Sequence, residues 1–359
     1  MSTSATYGVK YLGSKNSLVP QIIASIRAKF PSTTLRIIDV FTGTTRVAQA
    51  FRAEGWSVQS TDLSWASEAY AEAFLRRTAE SGARIPQLIQ DLQSAPPALD
   101  WITKTYCDVS GATGGNVKMW KRDNGQKADG IRNRIAALEA AGQITHHEAM
   151  ILVACLIFAL DRVDNSVGIQ QAYLKQWAVR TANPLHLIDL PLLTGPPAQH
   201  TVANCLTHTY EAADIAYLDP PYSGHSYSTY YHIWDSITRW DKPAVSLTTN
   251  RRIDRVSGAA EFDVDMVSPW NSKVRALGAF IDLIRRLPVK HVLISYNDES
   301  LIPVDTLMKA LGLEFGVGAV QKQEIPYRRN IMSQIGNAAL SGEEAVMTNK
   351  ELLIWVAKS

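Results

Sequence analysis

The chain has 359 residues, of which 46% are hydrophobic and 19% are charged, and its formal net charge is +2. This is an ordinary globular composition that provides for one large domain or two modest ones. The small net charge excludes a protein that is basic as a whole, so any surface that binds nucleic acid must be local.

Three widely spaced cysteines, Cys107, Cys155 and Cys205, exclude a Cys-x-x-Cys zinc site and fit a reducing compartment. The chain opens on a polar stretch without the apolar core of a signal peptide. Its most apolar run, residues 149–160, is too short to span a bilayer and is flanked by charges, which predicts a buried helix. We therefore expect a cytoplasmic protein without a membrane segment.

The first strong pattern is a strand, a loop, a helix and a second strand. Residues 35–47 are an apolar strand and its following loop, residues 48–54 are helical, and residues 57–62 form a strand that ends on Asp62. In nucleotide-binding α/β folds, an acid in this position binds the hydroxyls of a ribose. The loop has one glycine, Gly43, where pyrophosphate-binding loops have three. The pattern therefore favours a ligand with a ribose and no pyrophosphate, such as S-adenosylmethionine.

A second pattern is the short apolar strand at residues 215–218, which ends on Asp219-Pro220-Pro221-Tyr222. Such a strand end lies at the carboxyl edge of a sheet, where open α/β folds bind ligands. The two prolines stiffen the loop and leave only carbonyl acceptors. A carboxylate, carbonyl oxygens and a flat ring suit a planar base that carries an amino group. Taken alone, the motif fits a tight turn after a core strand equally well.

Residues 65–197 are helical and poor in strands, with helices predicted at 66–79, 131–141, 146–163 and 168–179. A basic cluster around Trp120 suits a surface that follows a nucleic-acid backbone, and ordinary solvated charge is the alternative. The adjacent His146 and His147 lack the spacing of a metal site. The basic cluster contains Lys118, Lys121, Arg122, Lys127, Arg132 and Arg134, and a second basic group contains Arg251, Arg252 and Arg255.

The two ends of the chain carry further elements. A helix is predicted at residues 19–30, and Lys15 lies just ahead of it, where the alternatives are an ion pair with a ligand or simple solvation. Towards the carboxyl terminus, the pattern predicts helices at 273–286 and 304–311 and strands at 291–295, 317–321 and 352–356.

Three separated motifs in this order resemble those of the Dam-like adenine-specific (N6) DNA methyltransferases with the alpha-type motif order. They are Tyr11-Leu-Gly-Ser-Lys15, Asp39-Val-Phe-Thr-Gly43 and Asp219-Pro220-Pro221-Tyr222. The resemblance implies an α/β fold with a Rossmann-like sheet that binds S-adenosyl-L-methionine, and an inserted, mainly helical target-recognition region. It divides the chain into a first catalytic part at 1–64, the insert at 65–197, and a second catalytic part at 198–359.

The resemblance also implies roles for individual residues and a partner. The partner is double-stranded DNA, no metal is needed, the protein is a monomer or weak dimer, and it acts in a bacterial or phage context. Catalysis is expected from Asp219, Pro220, Pro221 and Tyr222. Donor binding is expected from Tyr11, Lys15, Asp39, Phe41, Gly43, Asp62 and Asp219. Contacts with DNA are expected from Lys118, Lys121, Arg122, Lys127, Arg132, Arg251, Arg252 and Arg255.

The sequence differs from the family pattern at two places, and two other functions remain compatible with it. Thr45 stands where the family usually has glycine, which predicts a narrower loop or a strained φ, with an effect on donor affinity. Asn204 and Cys205 follow a strand, at a place where relatives often have an acidic residue near the adenine of the methyl donor. The other functions are methylation of a different amino group, in cytosine, RNA adenine or protein glutamine, and DNA binding without catalysis. Asp219 argues against glutamine, whose methyltransferases have asparagine there.

Overall fold

The structure is a computed structural model, and it describes residues 5–11, 13–31, 34–108, 118–170, 173–174, 176–221, 227–246, 248–263, 267–298, 300–328 and 348–358. Tyr222, the last residue of the predicted catalytic motif, lies outside these residues.

The described residues form a seven-stranded sheet, which confirms the predicted α/β class. The strands are β1 (Arg36–Asp39), β2 (Ser57–Asp62), β3 (Gln199–Val202), β4 (Ile215–Leu218), β5 (His291–Asn297), β6 (Val320–Arg328) and β7 (Thr348–Ala357). Their order is β3-β2-β1-β4-β5-β7-β6; β1 to β5 are parallel, and β7 runs antiparallel to both of its neighbours.

From β1 the chain continues to β2 and β3 on one side of the sheet, and then returns to β4 and β5 on the other side. The hydrogen-bonded neighbours β1 and β4 therefore mark the switch point. In open α/β sheets, a crevice forms at such a switch point, beyond the carboxyl ends of the strands. All four residues of β4 are buried, as in a central parallel strand that is covered on both faces. The ends of β1 and β4 therefore bring Asp39 and Asp219 to the same edge of the sheet.

Eleven helices lie in the described part of the chain, and none is long and apolar enough to cross a membrane. They are α1 (Val19–Lys29), α2 (Arg46–Ala53), α3 (Ala66–Ala71), α4 (Ile85–Gln93), α5 (Trp101–Tyr106), α6 (Arg122–Ala140), α7 (His146–Arg162), α8 (Tyr227–Tyr230), α9 (His232–Arg239), α10 (Ala276–Arg286) and α11 (Val304–Phe315). A π-helical segment, Glu72–Arg76, continues α3.

Helix α7 is the centre of the helical region. Thr145 and Glu148 cap its start reciprocally, through side-chain bonds to each other's main chain. Its apolar residues are buried almost without interruption, which confirms the predicted buried helix. Trp234 and Ile237 of α9 lie in the same core, although α9 follows the catalytic motif in sequence. The helical region therefore packs onto the catalytic part through α9, and the domain boundaries stay a prediction.

The helix predicted at residues 168–179 is wrong for the residues described there. Asn165 is buried and organises a loop instead: its side chain donates to the Leu174 carbonyl (3.2 Å) and accepts from the Ala178 amide (2.9 Å). A short 3₁₀ turn, Val179–Ala182, follows. An asparagine that satisfies main-chain groups in this way replaces the bonds of a helix. The strand predicted at 317–321 begins later, at Val320.

Candidate active site

A cavity opens at the carboxyl ends of β1 and β4, and it gathers residues that are far apart in sequence. Every residue expected to bind the donor lines it, together with the two prolines of the catalytic motif: Tyr11, Lys15, Asp39, Phe41, Gly43, Asp62, Asp219, Pro220 and Pro221. The sheet order accounts for this meeting, since β2, β1 and β4 are consecutive strands of the sheet.

Asp62, at the end of β2, organises the loop that follows β1. One carboxylate oxygen accepts a hydrogen bond from the Gly43 amide (2.7 Å), and the other accepts from the Ser64 amide (2.8 Å). Gly43 has a φ of +50°, which glycine adopts without a steric penalty. Burial raises the pKa of Asp62, and these main-chain hydrogen bonds oppose that shift. Asp62 thus holds the loop after β1 in place, and both line the cavity.

Asp39 lies deeper, with a carboxyl that is buried at the end of β1. Burial raises its pKa to about 7, against the hydrogen bond that Thr42 donates to Oδ2 (2.8 Å). The nearby carboxylates of Asp219 and Asp62 raise the pKa further. The Ala48 amide is a further hydrogen-bond donor to the carboxyl and opposes the rise in pKa.

Thr45 has the strained backbone that the sequence predicted. It is fully buried and precedes α2 with a φ of +65°, which is costly for a β-branched residue, by about 1–3 kcal/mol. Its hydroxyl accepts from the Gln49 amide (3.0 Å), and the Gln49 side chain pairs in both directions with the main chain of Tyr7. Thr45 is therefore part of a network that ties the amino-terminal segment to the donor loop.

Lys15 lies between two carboxylates inside the cavity wall. Its ammonium is 3.1 Å from Asp219 Oδ1 and 2.8 Å from Glu351 Oε1, and only 6% of Lys15 is exposed. Burial lowers the pKa of Lys15, but the two carboxylates outweigh burial and raise the pKa above its usual value. Glu351 was not predicted from the sequence, where its only signal is an acid at the start of the apolar segment of β7.

Aromatic side chains form another part of the wall. The Tyr11 ring stacks on that of Tyr231, with centroids 4.3 Å apart, and contacts the Tyr227 ring at 5.5 Å. Both partners come from the aromatic stretch that follows the catalytic motif, and both line the cavity. Their sequence signal was the density of tyrosines. In the described part of the chain, no cluster of histidine, cysteine or acidic side chains is arranged to hold a metal ion.

Three arginines expected to contact DNA are instead buried. Arg132 donates to the carbonyls of Ile237 (2.7 Å) and Thr238 (3.0 Å), and so caps the end of α9. Arg252 pairs with Asp241 (2.8 Å) and Asp254 (3.0 Å). Arg255 is 5% exposed and lies against the Trp65 ring. The prediction of DNA contacts is wrong for these three, because internal carbonyls, carboxylates and rings hold them.

The other residues in and around the basic cluster are either held by internal partners or partly exposed. The Lys127 ammonium is held by the main-chain carbonyls of Gln93 and Ala95. Trp120 is buried, and its indole donates to the Leu160 carbonyl (3.0 Å), so it is no stacking surface for a nucleic acid. Four of the expected contacts are partly exposed and stay predictions: Lys118, Lys121, Arg122 and Arg251.

The chain is similar to bacterial modification enzymes. The StsI modification methylase of Streptococcus sanguinis is 30% identical over 332 residues, covering 89% of this chain and 48% of that protein. The LlaI modification methylase of Lactococcus lactis subsp. lactis is 28% identical over 366 residues, covering 98% and 55%. The type II methyltransferase M.NlaIII of Neisseria lactamica is 27% identical over 269 residues, covering 74% and 76%. The chain thus spans about half the length of the first two relatives.

Among solved structures, a magnesium protoporphyrin IX methyltransferase from Synechocystis PCC 6803 with bound SAM overlaps with a TM-score of 0.33 and 8% identity. The overlap covers 96% of this chain and 79% of that one. The sequence match is decisive. The model of the D12 class N6 adenine-specific DNA methyltransferase family matches residues 11–305, and the chain therefore belongs to this family.

Proposed function

We propose that the chain transfers a methyl group from S-adenosyl-L-methionine to the exocyclic N6 of an adenine in double-stranded DNA. One observation carries the proposal: Asp219 and Pro220 line the same cavity as Asp62, Gly43 and Asp39. Hydrogen-bond acceptors for an amino group and for the ribose of a methyl donor therefore line the same cavity. Membership of the D12 family supports the same reaction.

The residues present fit the proposed donor. S-adenosylmethionine has ribose hydroxyls, an ammonium and an amino group, all hydrogen-bond donors, and when bound it supplies a methyl group on a sulfonium that leaves as a neutral thioether. Asp62 lies at the end of β2, where an acid suits the ribose hydroxyls. Asp39 and Phe41 also line the cavity, where Phe41 provides an apolar contact.

The adenine amino nitrogen is a weak nucleophile, and residues of the chain could activate it. The lone pair of the adenine amino nitrogen is conjugated with the ring, so it does not attack readily. The Asp219 carboxylate and the Pro220 carbonyl would accept the two amino hydrogens and favour a pyramidal nitrogen with a directed lone pair. Since both acceptors lie on a stiff Pro-Pro loop, the arrangement costs little reorganisation during reaction.

Asp62→Ala is expected to weaken donor binding by about 1–3 kcal/mol, roughly 5- to 150-fold in Kd, because a charged acceptor is lost. The same change removes the acceptor for the Gly43 and Ser64 amides, so the loop also loses its anchor. Calorimetric titration with S-adenosylmethionine measures the effect, with Asp305→Ala, an exposed change outside the cavity, as the control. An unchanged Kd in Asp62→Ala would rule out its assignment to the donor.

Tyr222 is proposed to stack on an adenine that is rotated out of the duplex. The ring of Tyr222→Phe keeps its π-face and should retain activity, whereas Tyr222→Ala should lose about 5- to 150-fold, since stacking is worth about 1–3 kcal/mol. The loss should be smaller when the target adenine is mismatched, because extrusion is then easier. Single-turnover methylation of matched and mismatched duplexes tests this. Equal losses on both duplexes, with a lower melting temperature, would favour a structural tyrosine.

The DNA partner is proposed to be held partly by Lys118, Lys121, Arg122 and Arg251, the expected contacts that are partly exposed. The proposal includes a cytoplasmic location, where bacterial DNA is found, and a monomer or weak dimer.

Sequencing that detects modified bases, applied to DNA from cells expressing the chain, tests the proposed function. We expect N6-methyladenine at one short sequence, and none in cells expressing Asp219→Ala. Methylated cytosine N4, or methylated RNA with unmodified DNA, would replace the proposal with one of the alternatives. Donor binding without any modified base would indicate a relative that does not catalyse transfer.

A further inference from the structure

We propose that Glu351 is a positioning residue for methyl transfer: it holds the Lys15 ammonium so that Asp219 stays available to the target amine. The inference rests on the proposed function, because it concerns the carboxylate that would activate the amine. Glu351 lies in β7, near the carboxyl terminus and outside the residues that match the family model.

The contacts place Glu351 one side chain away from the reacting atoms. The Lys15 ammonium lies 2.8 Å from Glu351 Oε1 and 3.1 Å from Asp219 Oδ1, so one cation bridges two carboxylates. Glu351 is absent from the cavity lining, whereas Lys15 and Asp219 both line it. Glu351 therefore acts on the reaction from outside the cavity, through Lys15 and through the direct repulsion between its carboxylate and that of Asp219.

The strand pairing fixes where Glu351 can reach. β7 is inserted between β5 and β6, and Glu351 lies opposite Asn297 on one side and Ile325 on the other. Only 3% of Glu351 is exposed, so its carboxylate cannot turn to water. Burial raises the pKa of Glu351, and the charge of Lys15 opposes the shift. A buried acid in an apolar strand needs such a partner, because an unpaired buried charge is costly.

The consequence for Asp219 follows from charge balance. With both carboxylates ionised, the three groups carry one net negative charge, and Lys15 is shared between two acceptors. If Glu351 loses its charge, the ammonium has one charged acceptor left and should close onto Asp219. A close ion pair would occupy lone pairs that the amino hydrogens require. Glu351 thus keeps the cation near Asp219 without letting it block Asp219.

The test compares single-turnover methylation of an unmethylated bacterial DNA at saturating S-adenosylmethionine in four proteins. Glu351→Gln should lower the rate about 10-fold or more, as expected when one charged hydrogen bond is misdirected. Glu324→Gln, the same change at an exposed position of the neighbouring strand, should stay within about 2-fold, as for surface changes. The double variant Lys15→Met with Glu351→Gln should be faster than Glu351→Gln alone, because no ammonium is left to block Asp219.

The gain in the double variant is the decisive result, since a merely structural glutamate predicts that a second buried change makes matters worse. A rate for Glu351→Gln near that of the wild type, or a double variant slower than the single one, would overturn the role of Glu351. Thermal melts of all four proteins correct each rate for the folded fraction, and Glu351→Asp, which keeps the charge, should retain most of the rate that Glu351→Gln loses. An inactive wild-type protein would overturn the proposed function itself and, with it, this inference.

Discussion

Replacing Asp219 by alanine is expected to reduce the rate of methyl transfer at least about 100-fold, comparable with the loss of one preorganised electrostatic contact in an active site. The change removes the carboxylate that would accept an amino hydrogen, and the Pro220 carbonyl alone cannot direct the lone pair. The fold should tolerate the change, because Lys15 keeps its ion pair with Glu351 at 2.8 Å. DNA binding should persist for the same reason.

The measurement is a single-turnover rate at saturating donor, beside a DNA-binding titration. Asp305→Ala is the matched control, since Asp305 is exposed on α11 and does not line the cavity. A rate for Asp219→Ala within a few-fold of the wild type would remove Asp219 from the mechanism. A parallel loss of rate and DNA binding would instead indicate that Asp219 supports the structure of the site.

Replacing Lys15 by methionine is expected to destabilise the fold by about 3–5 kcal/mol near pH 8, the usual cost of removing one partner from a buried ion pair. The change leaves the carboxyls of Asp219 and Glu351 close together without a cation. Burial already raises the folded-state pKa of Glu351, and that pKa should rise further without the ammonium that opposes the shift. The penalty is therefore full at a pH above the raised pKa and shrinks as the pH falls through it.

Denaturant unfolding at pH 8 and pH 5 tests this prediction. Lys15→Met should lose less stability at pH 5, where protonation removes the repulsion between the two carboxyls. Lys309→Met, an exposed change on α11, should stay within about 0.5 kcal/mol at both pH values. An equally small effect of Lys15→Met at pH 8 would mean that the ion pairs of Lys15 do not contribute to stability.

The sequence by itself determined the sheet strands that carry the site and the acids at their ends. Short strand-forming runs closed by Asp39, Asp62 and Asp219 are local signals, and the observed strands end at or next to these residues. Local signals also predicted α7, whose apolar run and capping residues lie within one segment. The strain at Thr45 was predicted from the resemblance to the family, which usually has glycine at this position, because a β-branched residue avoids a positive φ.

Only the tertiary structure decided which charges are buried. The sequence placed Arg132, Arg252 and Arg255 on a DNA-binding surface, but carbonyls of α9, two aspartates and the Trp65 ring enclose them. The ion pair between Glu351 and Lys15 also joins residues that are more than 300 positions apart in the chain. The physical reason is that burial and ion pairing depend on contacts between distant segments. Charge pattern alone predicts solvation, and only packing shows which cations have internal partners.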